Sequence, residues 1–303
     1  MRKIILIGEF ALNLVFDRQA TPLGTLIGGR IVNAAAILAS KKLPAIMVGE
    51  ASADQVGDTA IGILSDAGVD ISCVDRFTEG VTPSQLHFPR KEVGGYEVIR
   101  YERYPEECFD VMWPRFSPAD IVVFGGFLTI DPRARERVMQ LLTSARERGC
   151  LMIYLPGFLP SRMPRITRVM PSILDNLETA HVVLTRSADL NTIFDTYDDA
   201  RAFGNNISFY CNRLINTDPS TRELRAYGTS LYERQQITSA HAASMLWNSA
   251  AAAGVIEYIY NHVPTPADLD SITAANVHDM LAHAVTTADR HTAEINQEWK
   301  LCI

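Results

Sequence analysis

Short apolar runs closed by glycine, amphipathic helical stretches between them, and a length of 303 residues predict an α/β fold on a mainly parallel sheet. Ile4 to Ile7 opens the pattern as a continuous apolar run ending at Gly8, the signature of a strand buried on both faces. Ile31 to Leu38 has helical spacing, begins after Gly28-Gly29, and ends before Lys41-Lys42, whose charges suit a helix C-terminus. A strand over Ala45 to Val48, closed by Gly49, and a helix over Ile61 to Asp66 follow. Ile121 to Phe124, Leu151 to Tyr154 and His181 to Leu184 read as further buried strands, and Arg133 to Arg148 as a long amphipathic helix.

One segment breaks the alternation. Between Val81 and Tyr104, Gln85-Leu86-His87-Phe88 and Tyr96 to Tyr101 flank a charged turn at Gly94-Gly95, which predicts a β-hairpin placed as a lid. A further lid strand is expected at about residues 14–27. A helical pattern runs from Ser239 to His262 until Pro264-Thr265-Pro266 stops it, and a last helix is expected from about Thr273 to Ala288. The whole chain, 1–303, reads as a single domain.

Composition excludes several classes. With 28 basic and 35 acidic side chains the formal charge is -7, which repels a phosphate backbone, so no nucleic-acid partner is expected. The five cysteines, Cys73, Cys108, Cys150, Cys211 and Cys302, form no C-x-x-C pair and encode neither a disulfide framework nor a zinc site. No run approaches the roughly 20 apolar residues of a membrane span, and no cleavage site follows Gly8-Glu9. A soluble, cytoplasmic protein with no membrane partner and no metal is expected.

The order of the blocks is specific. Gly8-Glu9 after the first strand, Gly28-Gly29-Arg30-Ile31-Val32-Asn33 opening a helix, Gly49 through Gly57, and Leu64 through Asp70 resemble the ribokinase-like (PfkB-type) carbohydrate kinases. The resemblance implies a three-layer α/β/α domain with a small β lid, and ATP-dependent phosphorylation of a sugar hydroxyl. It also implies that Gly28, Gly29 and Asn33 line the sugar site. Paired glycines let backbone approach a ligand closely, and an asparagine offers a donor and an acceptor to vicinal hydroxyls. The plainer alternative is that the glycines shape a strand-to-helix turn and Asn33 caps the helix. Asn13 stands where the family usually has an aspartate that grips a sugar hydroxyl, and equally reads as a polar residue at a strand end; Asp17 is a possible substitute or a loop charge.

The catalytic side departs from the family. Its Gly-Ala-Gly-Asp block, aligned through Ala253-Gly254, falls on Leu246, Trp247, Asn248 and Ser249. Ser249 therefore stands at the base position, and a hydroxyl is a poor base near neutral pH. Asn248 and Trp247 occupy the former anion hole, with Leu246 and Trp247 expected to crowd the phosphates. No Asp or Glu occurs from Arg234 to Gly254, so no shift of register restores the motif. His241 is the one imidazole nearby, either a base or a surface histidine. The family's Asn-x-x-Glu reads Thr185-Arg186-Ser187-Ala188, where Arg186 could pair a phosphate or sit in a salt bridge. Its Asp-Pro-Asn reads Leu155-Pro156-Gly157, and its Thr-x-Gly turn near Thr217 has Asp218-Pro219 in place of glycine.

Three readings follow. The first is a sugar- or polyol-binding pseudokinase with lost or strongly reduced phosphotransfer. The second is an active kinase with a substitute base, using ATP and Mg. The third is a structural or regulatory subunit, a homodimer paired through the lid, where Phe88, Tyr96 and Tyr101 could meet a second copy or cover the protein's own cleft.

Overall fold

The computed structural model describes residues 2–90, 96–106, 108–159, 162–218, 220–239 and 246–299, the last four of these by backbone alone. The elements run β1 (Ile4–Ile7), β2 (Ala11–Phe16), β3 (Pro22–Gly28), α1 (Arg30–Ser40), β4 (Ala45–Ser52), α2 (Gln55–Asp66), β5 (Asp70–Phe77), β6 (Val81–Pro89) and β7 (Tyr96–Arg103). They continue β8 (Ile121–Gly125), α3 (Arg135–Glu147), β9 (Leu151–Leu155), α4 (Ile166–Thr179), β10 (Val182–Arg186), α5 (Ser187–Phe194) and α6 (Asp199–Asn205). The chain closes with β11 (Arg213–Asp218), β12 (Glu223–Gly228), β13 (Leu231–Gln236), α7 (Trp247–His262) and α8 (Ala274–Trp299).

Nine strands form one sheet in the order β13-β12-β11-β10-β9-β8-β1-β4-β5. It is parallel from β5 to β11 and antiparallel at β11-β12 and β12-β13. All four residues of β1 are fully buried, because both faces of the sheet are covered. On one face Leu6, Met47 and Ile153 pack with α1, α2, α7 and α8; on the other Ile5, Phe124 and Tyr154 pack with α3, α4 and α5. The mainly parallel sheet is the one the alternation predicts, and the three-layer α/β/α arrangement is the one the resemblance implies.

A second, four-stranded sheet in the order β3-β2-β6-β7 supplies the lid. The hairpin β6-β7 is antiparallel as expected, with Leu86 opposite Ile99; its turn at Gly94-Gly95 lies outside the described residues. The single lid strand expected over 14–27 is instead an antiparallel pair, β2 and β3, joined by a turn in which Asp17 accepts the Gln19 and Thr21 N–H groups.

Four boundaries differ from the sequence reading. α2 begins at Gln55 and not at Ile61, with Asp54 capping it by accepting the Gly57 N–H at 2.7 Å. β4 runs through Gly49 to Ser52, because that glycine lies under the Phe10 ring, where a Cβ would come within 2.7 Å of Cε2. α7 begins at Trp247 and not at Ser239: β13 reaches Gln236 and Arg222 then holds the Ile237 and Ser239 carbonyls. His241 lies outside the described residues. α8 extends to Trp299, packing Met280, Leu281 and Ala284 against α7, with Gly254 so close that a Cβ there would meet Ala284 Cα at 2.7 Å.

Trp247 departs most from expectation. Its ring is in the core between α7 and α8, only 1 % exposed, and its Nε1 donates to Asp289 Oδ1 at 2.8 Å. Of the bulk expected to crowd a phosphate, the Trp247 ring is therefore in the core, whereas Leu246 lines the cavity at the strand ends. Cys73, Cys108, Cys150 and Cys211 are buried free thiols, and Cys302 is outside the described residues. Among the described residues no helix is long and apolar enough to cross a membrane.

Removing a buried indole leaves a large cavity and orphans Asp289. Trp247→Ala should cost about 3–5 kcal/mol of stability in urea unfolding, and a loss below about 1 kcal/mol would show that the ring is not a core element.

Candidate functional site

The strand C-termini of a parallel sheet gather backbone ends that no further strand covers, and ligands bind there in open α/β sheets. Here Gly8 and Glu9 follow β1, Gly125 and Gly126 end β8, Leu155-Pro156-Gly157 ends β9, and Arg186 ends β10. The first turns of α1 and α7 flank them and the lid sheet lies across, enclosing a cavity of about 310 Å³.

The lid contributes alternate residues, as a strand must. Asn13 is opposite Gln85, Gln85 opposite Arg100, and His87 opposite Val98, and all of these line the cavity with Tyr96. Ile99 and Tyr101 fall on the other face and are exposed, while Phe88 stacks on Phe16 at 4.5 Å between ring centroids. The three lid aromatics thus divide: Tyr96 faces the cleft, Phe88 and Tyr101 do not.

The residues singled out from sequence divide as well. Asn13, Gly29, Asn33 and Ser249 line the cavity together. Asn33 donates through Nδ2 to the Gly29 carbonyl at 2.9 Å, which ties it to the corner that opens α1. Gly28 is not a wall residue. It sits under Asn13, where a Cβ would come within 2.5 Å of Asn13 Oδ1 and 2.8 Å of Ala11 Cβ, so its role is to admit the lid strand. Gly29 has φ of 101°, a backbone that favours glycine. Asn248 lines a separate small cavity with Arg30, Thr185 and Thr217, and Trp247 is in the core.

Sequence reasoning did not single out Glu9, Arg30, Gln85, His87, Arg100 or Arg162 as site residues. Polar Gln85 and His87, two apart on an otherwise apolar strand, carry a usable signal. Arg162 carries none.

Charge in the site is heavily paired. Glu9 takes Arg162 through both guanidinium ends at 3.2 Å, accepts the Phe127 N–H at 3.2 Å, and has Arg100 at 3.8 Å. The Arg162 guanidinium also lies over the Phe127 ring at 4.2 Å. Asp189 is completely buried between Arg186 at 2.6 Å and Arg30 at 3.0 Å. Burial would raise its carboxyl, but the two guanidiniums outweigh this and hold it below the usual carboxylate range. Arg186 is therefore salt-bridged, the second of its two sequence readings. Burial brings the Arg30 guanidinium down to about 10, against the pull of Asp189, and it stays charged at neutral pH.

Among the described residues, four that line this cavity have a buried polar atom with no hydrogen-bond partner: Asn13 Oδ1, His87 Nδ1, Arg30 Nε and Arg100 Nη2. Burial pushes the His87 imidazole down to about 4, so the ring is neutral. Its Nε2 faces Gln85 Oε1 at 3.3 Å and serves as the donor, which leaves Nδ1 as a bare acceptor.

Polar residues near the C-terminal ends of β10 and β11 are bonded to one another and to α6 and β12. Thr185 Oγ1 donates to Asn216 Oδ1 at 2.9 Å, and Asn216 Nδ2 donates to Asp199 at 3.0 Å. Asp199 also accepts from Arg225 at 3.0 Å and from the Tyr227 hydroxyl at 2.8 Å. Asp218 accepts from Ser220 and pairs with Arg225 at 3.5 Å; Pro219 lies outside the described residues.

With this geometry in place, the chain can be set beside known proteins. The model of the pfkB family carbohydrate kinases matches residues 1–206, and the chain belongs to that family. No curated protein matches the sequence. A fructokinase double mutant from Vibrio cholerae, in its fructose, ADP and potassium ion bound form, superposes with a TM-score of 0.80 at 14% identity, over 96% of this chain and 92% of that one. A fructokinase from Xylella fastidiosa with bound ATP gives 0.77 at 17% identity, over 98% and 99%. Aminoimidazole riboside kinase from Salmonella enterica, complexed with aminoimidazole riboside and an ATP analog, gives 0.74 at 15% identity, over 96% and 92%. At these identities the likeness establishes the fold.

Two outcomes test the site's construction. Gly28→Ala should push Asn13 and the lid strand off the corner and lower stability by about 1–3 kcal/mol in urea unfolding; an unchanged midpoint would mean the approach is looser than described. Glu50, behind Glu9 and 7 % exposed, accepts the Phe109 N–H at 2.6 Å, and burial pushes its carboxyl up to about 7. A raised acid favours the proton in the folded state, so stability is full below the unfolded carboxylate value near 4 and falls as pH rises towards 7. Glu50→Gln keeps the acceptor and should raise stability by about 1–3 kcal/mol at pH 8, with little change at pH 4, as read from melting curves at both pH values.

Proposed function

We propose that the protein is a sugar- or polyol-binding member of its family in which ATP-dependent phosphotransfer is lost or strongly reduced. One observation carries the reading: Asn13 and His87, which line the cavity, each hold a buried acceptor without a partner that a ligand hydroxyl can satisfy, while Glu9, the one lining carboxylate among the described residues, is held by Arg162 and Arg100. A buried acceptor without a partner costs about 1–3 kcal/mol, which a hydroxyl donor would return. Its oxygens are taken up by the Arg162 guanidinium and the Phe127 N–H, so Glu9 is already engaged in holding the wall together.

The positions that carry transfer in the family support the same reading. Ser249 faces the cavity at the start of α7, only 2 % exposed, and offers a hydroxyl where an acid would take the acceptor's proton. The groups near the C-terminal ends of β10 and β11 are engaged in the Thr185, Asn216, Asp199 and Arg225 network and have little left for a triphosphate or its magnesium. Within this reading the lid positions the ligand through Asn13, Gln85 and His87, Gly29 keeps the corner open, and Asn33 holds the corner's backbone. ATP and Mg belong to the competing reading of an active kinase with a substitute base.

Loss of a positioned base accounts for about 10²–10⁴ in rate. With ATP, magnesium and a panel of monosaccharides, turnover should stay below about 0.01 s⁻¹, against the roughly 1–100 s⁻¹ typical of kinases. Turnover within the ordinary range would overturn the proposal.

A further inference from the structure

The unpartnered arginine atoms and the way charge is distributed around the cavity narrow the ligand further. On the lid side, Arg100 and Arg162 face Glu9 and Glu102: Arg100 Nε donates to Glu102 at 2.7 Å, and Arg162 meets Glu102 at 3.0 Å and Glu9 at 3.2 Å. That cluster is neutral. At the α1 end, Arg30 and Arg186 share the single carboxylate of Asp189. Among the described residues one positive charge is left over there, beside a cavity in which His87 is uncharged, in a chain with a formal charge of -7.

Arg30 also has a donor to spare. Its Nη1 is used by Asp189 at 3.0 Å, but its Nε is buried with no partner, and the side chain is only 13 % exposed. Its stem lies against Gly157, where a Cβ would come within 3.2 Å of Arg30 Cδ, so the guanidinium has a fixed seat in the wall. A surplus cation with a free, desolvated N–H is a receptor for an anion, since charge-assisted hydrogen bonds are the stronger kind. Asn13 and His87, on the lid strands β2 and β6, carry the unpartnered acceptors for hydroxyls. At about 310 Å³ the cavity holds on the order of ten water volumes, room for a monosaccharide.

We propose that the cavity's ligand is a monosaccharide-sized polyol carrying an anionic group, a carboxylate or a phosphate, which is received by Arg30 at the α1 end while its hydroxyls meet Asn13 and His87. This rests on the sugar-binding reading above and specifies the ligand class. Arg186 positions Asp189, and through it Arg30. Because Asp189 is already shared between two guanidiniums, the anion completes the charge of the cluster without displacing an existing pair.

Isothermal titration calorimetry on the full chain separates the possibilities. The probes are D-gluconate with sorbitol as its neutral counterpart, D-glucose 6-phosphate with D-glucose, and ATP. At least one anionic probe should bind about tenfold or more tightly than its neutral partner, and which of the two does so distinguishes carboxylate from phosphate. That advantage should shrink about fivefold or more in Arg30→Met, and in the unaltered protein it should shrink between 50 mM and 500 mM salt, a measurement that does not depend on the variant folding. Neutral probes binding as tightly as charged ones would overturn the anionic ligand and leave the sugar-binding reading standing. No heat from any monosaccharide would overturn both. ATP binding more tightly than the sugars, and lost in Arg30→Met, would assign the surplus charge to a nucleotide and overturn the inference.

Discussion

The site depends on one close approach, that of lid strand β2 to the corner where β3 turns into α1. Asn13 Oδ1 sits where a Cβ on residue 28 would stand, and the next residue needs a positive φ to start the helix. With any side chain at 28 the lid sheet would lift, and Asn13, Gln85 and His87 would leave the strand ends of the main sheet. The cavity is therefore a consequence of backbone clearance before it is a matter of side-chain chemistry.

A second constraint is electrostatic. Arginines from α1, β7, β10 and the segment before α4 converge on the sheet's C-terminal edge, and each is matched to a carboxylate within 3.2 Å. Such pairs gain little stability over an apolar core, because desolvation offsets most of the attraction. They do impose geometry: with Glu9 and Asp189 both engaged, the acidic groups of this region serve as struts for guanidiniums. Among the described residues the same pairing leaves the α1 end one positive charge in surplus, because Arg30 and Arg186 share Asp189.

The buried polar network behind β10 and β11 follows a related logic. Thr185, Asn216, Asp199, Arg225 and Tyr227 satisfy one another, which lets this part of the sheet close on itself. Trp247 contributes in the opposite direction from its sequence reading, by joining α7 to α8 in the core. The position it holds in the chain was legible; the direction of its ring was not, because a residue on the first turn of a helix can face either the strand ends or the neighbouring helix.

The alternation of apolar runs and amphipathic stretches was enough to place β1, β4, β8, β9 and β10, the helices α1, α2, α3, α7 and α8, and the β6-β7 hairpin, because burial on both faces of a sheet is written locally as unbroken hydrophobicity. The parallel strands β5 and β11, half exposed or polar in sequence, were not placed. The Gly28-Gly29 pair and Asn33 likewise announced a tight corner. Element ends were less legible where a distant partner set them, as Phe10 does over Gly49 and Arg222 does at Ile237 and Ser239. What only the tertiary structure decided is which polar side chains share one cavity. Arg30, Arg100 and Arg162 are 70 and 62 residues apart in turn, and nothing in their local sequence distinguishes a solvated arginine from a buried one; sheet register and lid closure bring them together. Local pattern determines what a segment becomes, whereas long-range packing determines what it faces.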